Sequence, residues 1–287
     1  MRINDTVWQV VVFLGFLDHK APGGIRPIGT GFVQSYGSAL YLVTVAHVAK
    51  LLGGDPFVFR INNKDGSSLL CCFDDVVWHY HSDENVDVAV MEIDDDLPAG
   101  HAGRFVPQEM LASPETVVHE EIGVGDFCYT VGLFRLLAGN QRNLPVVHTG
   151  HIALLPGDEK VPFSDRTGSG NTRHVEAYLV ESQSLSGLSG APVFVRPSLY
   201  WALDPRIISE RKSKDRSYVQ VPRQDLFLLG IWQGAWDAPA DHVIAADRGG
   251  DVRVPLGMGV VVPTFKLVEL LNIPELAKAR EKRNGNQ

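Results

Sequence analysis

Three side chains of this sequence have the types and settings that nucleophilic acyl transfer requires. That chemistry needs a hydroxyl nucleophile, a base to take its proton, an acid to orient the base, and backbone N–H groups to meet the oxyanion. Ser189, His47 and Asp87 are the candidates for the three side-chain roles. Each also has an ordinary structural interpretation when its segment is considered alone.

The segment around Ser189 reads SGLSGAPVF over residues 186–194. Gly187 and Gly190 permit a tight turn with backbone angles that other residues rarely adopt, and such a turn aims N–H groups inward. We predict an oxyanion hole formed by the N–H groups of Gly187 and Ser189. The alternative is a turn rich in glycine and serine between two strands.

His47 follows the run LVTVA at residues 42–46, so it lies where a β-branched strand gives way to a turn. The small Ala46 leaves room for another element to approach the imidazole. The alternative is a histidine whose polar groups are satisfied within the core.

Asp87 opens an apolar run and shares one strand face with Ala89 and Met91, which favours a rigid carboxylate. Asp83 and Glu84 are competitors for the same role, but both precede the strand. The alternative for Asp87 is an exposed residue at a strand end.

The order of the three candidates along the chain is His, Asp, Ser, which differs from the orders in subtilisin and in the α/β-hydrolases. His47 and Asp87 lie in the first half of the chain and Ser189 in the second. We therefore expect a site in a cleft between two halves.

Short apolar runs rich in Val, Ile, Leu, Phe and Tyr, punctuated by Gly, Pro, Asn and Asp, predict the strands that position these residues. In the first half the predicted strands are 7–16, 28–34, 39–45, 56–61, 67–78 and 86–93. In the second half they are 125–133, 144–155, 174–181, 191–195, 226–232 and 256–262. Six strands followed by six more predict an all-β fold of two antiparallel six-stranded β-barrels.

We expect one domain spanning residues 1–287, and its parts follow the change in pattern along the chain. The parts are a first barrel at 1–95, a linker at 96–123, a second barrel at 124–262, and a C-terminal helix and tail at 263–287.

Helical patterns are scarce and lie mainly at the end of the chain. One turn is expected at Ala46. Leu267, Leu270 and Leu271 have the spacing of a buried stripe, and Thr264 is the expected cap, so a helix is predicted at 264–271. Residues 274–283 are expected to form a second short helix.

Composition excludes several function classes. The formal net charge is −8 and no long basic stripe is present, so neither nucleic acid nor an anionic membrane is an expected partner. The basic cluster at 211–216 is interpreted as a solvated loop. We find no secretory signal and no apolar run of about 18 residues, the length that crosses a bilayer.

The three cysteines, Cys71, Cys72 and Cys128, cannot form an even disulfide framework. Cys71 and Cys72 are adjacent, so their side chains should point to opposite faces of a strand. This usage fits a reducing compartment and predicts a cytoplasmic location.

Metal and phosphate sites were considered and set aside. His79 and His81 share a strand face near Asp83, but no third ligand follows at a diagnostic spacing. The glycines at 123–126 lack the strand–loop–helix context of a phosphate loop and predict a turn that opens the second barrel. Cys128 has no histidine arranged around it as a base. We expect no metal and no cofactor.

Five blocks occur in an order that resembles a known family. They are GTGF at 29–32, VTVAH at 43–47, DVAV at 87–90, GLSGAP at 187–192 and GMGVVVP at 257–263. Together they resemble the trypsin-like (chymotrypsin-fold) serine peptidases over about residues 7–271, most closely the bacterial branch that includes the high-temperature-requirement proteases. The resemblance implies a double β-barrel, peptide-bond hydrolysis through an acyl-enzyme, and no cofactor.

Departures from the family pattern carry information. Secreted animal members have Cys after the catalytic His, where this chain has Val48. Secreted members also have Asp before the Ser, where it pairs with a new N-terminal ammonium group; here that residue is Leu188. We therefore expect no activation by N-terminal insertion, and no peptide-binding domain after the barrels.

The resemblance also implies how a protein or peptide substrate is bound. Gln183 would lie near the base of the specificity pocket. Gln233, Gly234 and Ala235 would form the edge strand that pairs with the substrate backbone. The neutral Gln183 argues against a strong preference for Arg or Lys before the cleaved bond, and we expect a small or medium apolar residue there.

Two other functions fit the same sequence. One is a pseudo-protease that binds an extended peptide or a partner with little turnover, which Leu188 favours and the three intact candidates oppose. The other is an effector module whose protease activity is turned on when a partner binds the long loops at 196–224 and 237–253.

Overall fold

The computed structural model of this chain describes residues 6–53, 56–73, 76–93, 105–157, 159–164, 172–183, 187–198, 226–239 and 253–285. The helices of this part of the chain are α1 (Thr6–Gln9), α2 (Ala46–Leu52), α3 (Pro114–His119), α4 (Thr264–Leu271) and α5 (Pro274–Asn284). The strands in the first half are β1 (Val11–Leu17), β2 (Ile25–Tyr36), β3 (Ala39–Thr44), β4 (Phe57–Asn62), β5 (Ser68–Phe73), β6 (His79–Tyr80) and β7 (Ala89–Glu92). The strands in the second half are β8 (Phe127–Gly132), β9 (Val146–Leu154), β10 (Val161–Ser164), β11 (Thr172–Val175), β12 (Tyr178–Glu181), β13 (Pro192–Arg196), β14 (Phe227–Pro239) and β15 (Arg253–Pro263).

The first half folds into a seven-stranded antiparallel sheet in the order β5-β4-β1-β2-β3-β7-β6. Phe13, Phe32 and Phe57 are fully buried in an apolar cluster that also includes second-half residues such as Phe194 and Leu228. Phe57 of β4 stacks on Phe73 of β5 with 5.6 Å between ring centroids. The same ring lies 5.7 Å from Trp78, just before β6, so both ends of the sheet approach one core. The strand pairings of the described residues do not close this sheet into a barrel.

The second half forms the closed six-stranded barrel that the sequence predicts for it, in the order β12-β15-β14-β13-β8-β9. Inward-facing residues such as Val180, Val193 and Leu229 are fully buried, because alternate residues of each strand point inside. The hairpin of β10 and β11 is not paired with the barrel strands, and it packs Phe163 and Val175 against Leu179 of β12 and Val260 of β15.

Several predicted boundaries were wrong. The first predicted strand, 7–16, begins with α1, and Val7 and Val10 are both buried at a spacing that suits one helix face better than a strand. The predicted strand 174–181 is two strands, β11 and β12. The strand predicted at 86–93 begins only at Ala89, so Asp87 lies before β7 rather than in its alternation.

The C-terminal helices occur where the sequence predicts them. Thr264, however, is the first residue of α4 and makes no capping bond; its hydroxyl donates to the carbonyl of Ala112 at 2.6 Å. In α5 the buried Arg280 donates to the hydroxyl of Tyr41 at 3.0 Å and to the carbonyl of Leu271 at 2.6 Å. These hydrogen bonds connect α5 to β3 of the first half and to the last residue of α4. None of the described helices is long and apolar enough to span a membrane.

The two halves also meet through a buried cation. Arg60 of β4 is fully buried, and its Nε donates to Oδ1 of Asn143 at 2.6 Å while Nη2 donates to the carbonyl of Ala138 at 2.6 Å. Asn143 also exchanges hydrogen bonds with Asn62. Burial lowers the pKa of Arg60. This contact ties the loop between β8 and β9 to the first sheet.

Candidate active site

His47 is the second residue of α2, which follows β3 after a single extended residue, Val45. Helix α2 lies close to β7 because the residues between them are small: Ala46 and Ala49 pack with Ala89 in one cluster, which Trp78 covers. His47 therefore lies just after the end of β3, at the junction where the sequence predicts that a strand gives way to a turn.

Both carboxylate oxygens of Asp87 form hydrogen bonds with His47. Oδ1 accepts a hydrogen bond from the backbone N–H of His47 at 2.9 Å, and Oδ2 lies 2.6 Å from Nδ1 of its ring. The side chains are 27% and 12% exposed for His47 and Asp87 respectively. Because an ionised carboxylate only accepts, Nδ1 carries the proton of the neutral ring and Nε2 is the basic nitrogen.

The competing carboxylate Asp83 has a different role. It lies in an exposed loop, and its Oδ1 accepts from the backbone and side-chain N–H groups of Asn85 at 2.9 Å each. These bonds lower the pKa of Asp83, with the backbone bond from Asn85 as the largest cause. The structure pairs Asp87 with the histidine and uses Asp83 to shape the loop.

Residues 187–190, here called the Ser189 turn, adopt the backbone conformation that glycine permits. Gly187 has φ +107° and Gly190 has φ +88°, both in the left-handed region. Leu188 is 1% exposed and anchors the turn in the barrel core. The hydroxyl of Ser189 donates to the carbonyl of Gln233 at 3.4 Å, longer than the ~2.5–3.0 Å usual between oxygens.

The Ser189 turn and helix α2 meet at Gly29 of β2. A Cβ atom added to Gly29 would lie 2.8 Å from a methyl carbon of Val48 and 3.3 Å from the carbonyl oxygen of Ser189. Val48 directly follows the candidate base. The next residue, Thr30, donates its backbone N–H to that same Ser189 carbonyl at 2.9 Å. The segments that carry His47 and Ser189 therefore border the same glycine.

Thr30, the second residue of the GTGF block, contacts the Ser189 turn. It is fully buried, and its hydroxyl donates to the carbonyl of Gly187 at 2.7 Å. The signal in the sequence was the pair of glycines on either side of it, since neighbours without side chains permit another backbone to come close.

The residues predicted to bind substrate lie in two places: three of them are in β14, and Gln183 follows β12. Gln233, Gly234 and Ala235 belong to β14. The pairing of β14 with β13 runs up to Ile231, and bonds between Trp232 and the residues after Ser189 extend it by one residue. Beyond that point β14 continues past the Ser189 turn.

Two details modify the expected binding surface. The ring of Phe163 from the β10–β11 hairpin would lie 3.2 Å from a Cβ added to Gly234, so this aromatic side chain covers part of the strand. Gln183 is exposed and is the last described residue before a gap in the described ranges. Its position at a pocket base stays a prediction.

Other groups considered from the sequence have structural partners. His81 pairs with Glu269, with 2.9 Å between Nε2 and Oε2, instead of with His79. Among the described residues, no three His, Cys, Asp or Glu side chains are grouped as a metal site. The Gly123–Asp126 segment is a turn, closed by the N–H of Gly123 donating to the carboxylate of Asp126 at 2.8 Å.

The cysteines do not take part in the site. Cys71 is buried and Cys72 exposed on β5, which confirms that they face opposite sides of the strand. Burial, with a smaller effect from the charge of Asp126, raises the pKa of the Cys128 thiol to about 12. A thiol with that pKa is a poor nucleophile at neutral pH.

Comparison with known proteins gives structural likenesses and no sequence relatives. No family model matches the sequence, and no curated protein matches it. The fold is similar to the crystal structure of Deg5, with 15% identity, a TM-score of 0.47, and coverage of 92% of this chain and 88% of that chain. It is also similar to the inactive form of the Rv3671c protease, with 18% identity, a TM-score of 0.46 and the same coverages. A third similar structure is the inactive Ser-to-Ala mutant of Rv3671c from M. tuberculosis H37Rv. It has 17% identity and a TM-score of 0.45, with coverage of 92% of this chain and 86% of that chain.

Proposed function

We propose that this chain is a trypsin-like serine endopeptidase in which His47, Asp87 and Ser189 form the catalytic triad. The observation that carries the proposal is the meeting at Gly29: the segment that bears the Asp87-bound imidazole and the turn that bears Ser189 both contact this one residue. The proposed substrates are proteins or peptides. No cofactor is needed for this reaction, since all of its steps are proton transfer and acyl transfer.

We also propose that the first sheet is the first barrel of a pair. The contacts of Phe57 with both Phe73 and Trp78 support this idea, because they bring the two ends of the sheet over one core. The proposed cleft lies between this sheet and the closed barrel.

In the proposed mechanism, Oγ of Ser189 bonds to the scissile carbonyl carbon while Nε2 of His47 takes its proton. His47 then gives that proton to the departing amine, and the carbon–nitrogen bond breaks to leave an acyl-enzyme. Water attacks the ester by the same route, and Ser189 regains its proton. Asp87 holds the ring in the required tautomer and stabilises the imidazolium without taking the proton itself.

The oxyanion and the substrate backbone have proposed binding groups as well. The N–H groups of Gly187 and Ser189 would donate to the oxyanion. The strand at Gln233–Ala235 would pair with an extended substrate as an added β-strand. Its support is that β14 continues beyond its pairing with β13, directly beside Ser189.

The test is labelling of Ser189 with a fluorophosphonate probe, followed by digestion of a peptide library. We expect wild-type protein to be labelled on Ser189 and to cleave the library, with a preference for small or medium apolar residues before the cleaved bond. Ser189→Ala and His47→Ala should abolish labelling, because one lacks the nucleophile and the other the base.

Ser68→Ala is the matched control, since the hydroxyl of Ser68 bonds to the carbonyl of Gln141 at 2.8 Å in another part of the chain. This variant should be labelled at the wild-type rate. Folded wild-type protein that is never labelled would contradict the proposal and favour a peptide-binding module without turnover. Cleavage mainly after Arg or Lys would overturn the expected preference alone.

A further inference from the structure

The N–H, the carbonyl and the hydroxyl of Thr30 all form hydrogen bonds, and their partners come from both halves of the molecule. Its N–H donates to the carbonyl of Ser189 at 2.9 Å, and its hydroxyl donates to the carbonyl of Gly187 at 2.7 Å. The same hydroxyl accepts from the N–H of Leu133 at 2.9 Å. Its carbonyl accepts from the hydroxyl of Thr44 at 2.8 Å.

The two carbonyls that Thr30 holds belong to the two residues of the proposed oxyanion hole. Gly187 and Ser189 are two positions apart, and Thr30 bonds to both from outside the turn. Because peptide units are planar, fixing a carbonyl fixes the N–H of the next residue. The N–H of the residue whose carbonyl is fixed can then change direction only by rotation about the two backbone bonds of its Cα. Thr30 therefore restricts the directions in which both donors can point.

The packing around Thr30 leaves little room for the turn to move. A Cβ added to Gly190 would lie 2.0 Å from the carbonyl oxygen of Thr30. One added to Gly132 would lie 3.1 Å from its hydroxyl and 2.9 Å from the side chain of Leu188. The turn and β2 thus fit together at van der Waals distance, with the hydroxyl of Thr30 between them.

The residue before Ser189 offers no ionic anchor for the turn. Leu188 is apolar and 1% exposed, so it holds the turn by packing and cannot orient peptide groups by hydrogen bonding through its side chain. The orienting contacts from β2 come from a neutral hydroxyl and a backbone N–H. Unlike an ionic anchor, these contacts need no charged partner and do not titrate near neutral pH.

We propose that Thr30 is a positioning residue that holds the Ser189 turn in its oxyanion-binding form. This inference rests on the function proposed above. Its hydroxyl links the loop after β8, at Leu133, to Gly187, so that the turn is formed only when the first sheet and the barrel are docked.

The experiment measures acylation of Ser189 by p-nitrophenyl acetate, a small ester that needs no specificity pocket. Thr30→Val keeps the shape of the side chain and removes the hydroxyl. We expect its kcat to fall about 10²-fold, the size of effect known for loss of one oxyanion donor, with KM little changed. Thr30→Ser, which keeps the hydroxyl, should recover most of the wild-type kcat.

Thr264→Val is the matched control for stability. It also removes a buried threonine hydroxyl that donates to a backbone carbonyl, at 2.6 Å to Ala112. Its melting temperature should fall, though by less than that of Thr30→Val, because the hydroxyl of Thr30 also accepts from the N–H of Leu133, while the kcat of Thr264→Val stays at the wild-type value. Should Thr30→Val fail to fold, Thr30→Ser and Thr30→Ala make the same comparison, because they differ from each other only in the hydroxyl.

The outcomes separate the two proposals. Equal kcat values for Thr30→Ser and Thr30→Ala, or a folded Thr30→Val that reacts like wild type, overturn the role of Thr30 and leave the protease function standing. Wild-type protein whose Ser189 is not acylated overturns the proposed function and the role of Thr30 with it.

Discussion

The two halves of the molecule hold their candidate catalytic groups in different ways. In the first half, Asp87 makes two hydrogen bonds to His47, which lies in α2, while Asp87 lies just before β7. In the second half, the Ser189 turn is bonded to its own barrel through Gly190 and Trp232, and to the opposite sheet through Thr30. The proposed acid–base pair, Asp87 and His47, therefore lies within one half, whereas the position of Ser189 depends on how the halves meet.

This difference predicts two kinds of variant. Changes within the acid–base pair should alter the chemistry while leaving the docking of the two halves intact. Changes where the Ser189 turn meets β2 should alter both the chemistry and the docking of the two halves. The predictions below separate the two kinds, beginning with the largest expected effect.

Asp87→Asn should lower turnover by about 10⁴-fold, because an amide nitrogen facing His47 favours the wrong ring tautomer. The measurement is the initial rate of ester or peptide hydrolysis, together with the melting temperature. The control is Asp83→Asn, whose carboxylate bonds to Asn85 in an exposed loop and which should keep wild-type turnover. Near-native turnover in Asp87→Asn would refute the orienting role.

Gly190→Ala should damage both folding and labelling. The added Cβ would lie 2.0 Å from the carbonyl oxygen of Thr30 and 2.2 Å from the hydroxyl of Thr44, at φ +88°. We expect a loss of roughly 3 kcal/mol in the free energy of unfolding from backbone strain and collision together, measured by urea denaturation. Fluorophosphonate labelling of Ser189 should slow as well, since the turn must move away from β2.

Gly125→Ala separates strain from collision. Gly125 has φ +93°, close to that of Gly190, yet a Cβ added there would have nothing within 4 Å. Its cost should be only about 1 kcal/mol, from the left-handed backbone, with labelling unchanged. Equal losses in the two variants would show that the fit between the turn and β2 contributes no stability.

His148 gives the smallest predicted effect and concerns the barrel alone. Its Nε2 is buried with no hydrogen-bond partner among the described residues, and the same holds for Oγ1 of Thr130, its cross-strand neighbour. Burial lowers the pKa of His148. Its neutral form therefore stabilises the fold above the ordinary histidine pKa of about 6.5, and this contribution is lost as the pH falls below that value.

The measurement is the urea midpoint of wild type and His148→Leu across pH 5 to 8. Wild-type stability should fall more steeply toward acid pH than that of the variant, because the buried imidazole must take up a proton. Parallel profiles for the two proteins would mean that His148 does not contribute to the pH dependence. Labelling of Ser189 at pH 8 should be the same in both.

Local patterns explain what could be predicted. The strands of the barrel and the helix Thr264–Leu271 are predictable because alternation and the 3–4 spacing extend over only a few residues. The same reasoning failed at Val7 and Val10, where a short apolar run fits either a strand or a helix. It also failed at 174–181, where β11 leaves the barrel, because departure from a sheet changes no local pattern.

Asp87 bonds to His47 although it does not lie in the strand that the sequence predicts for it. Its predicted place in a strand alternation favours it over Asp83 as the candidate acid. In the structure it precedes β7, and its hydrogen bonds to His47 orient it. The preference for Asp87 as the residue nearest the strand was useful because the histidine-bearing helix packs beside the start of that strand.

The sequence by itself determined which residue types could act and roughly where each lies along its own strand or turn. Ser189 is flanked by the glycines its turn needs, and these relations extend over only a few residues. Only the tertiary structure decided that Thr30 bonds to Gly187, 157 positions away, and that Gly29 borders both α2 and the Ser189 turn. Hydrogen bonds between distant segments depend on how a sheet and a barrel dock, and no periodicity within either segment encodes that docking.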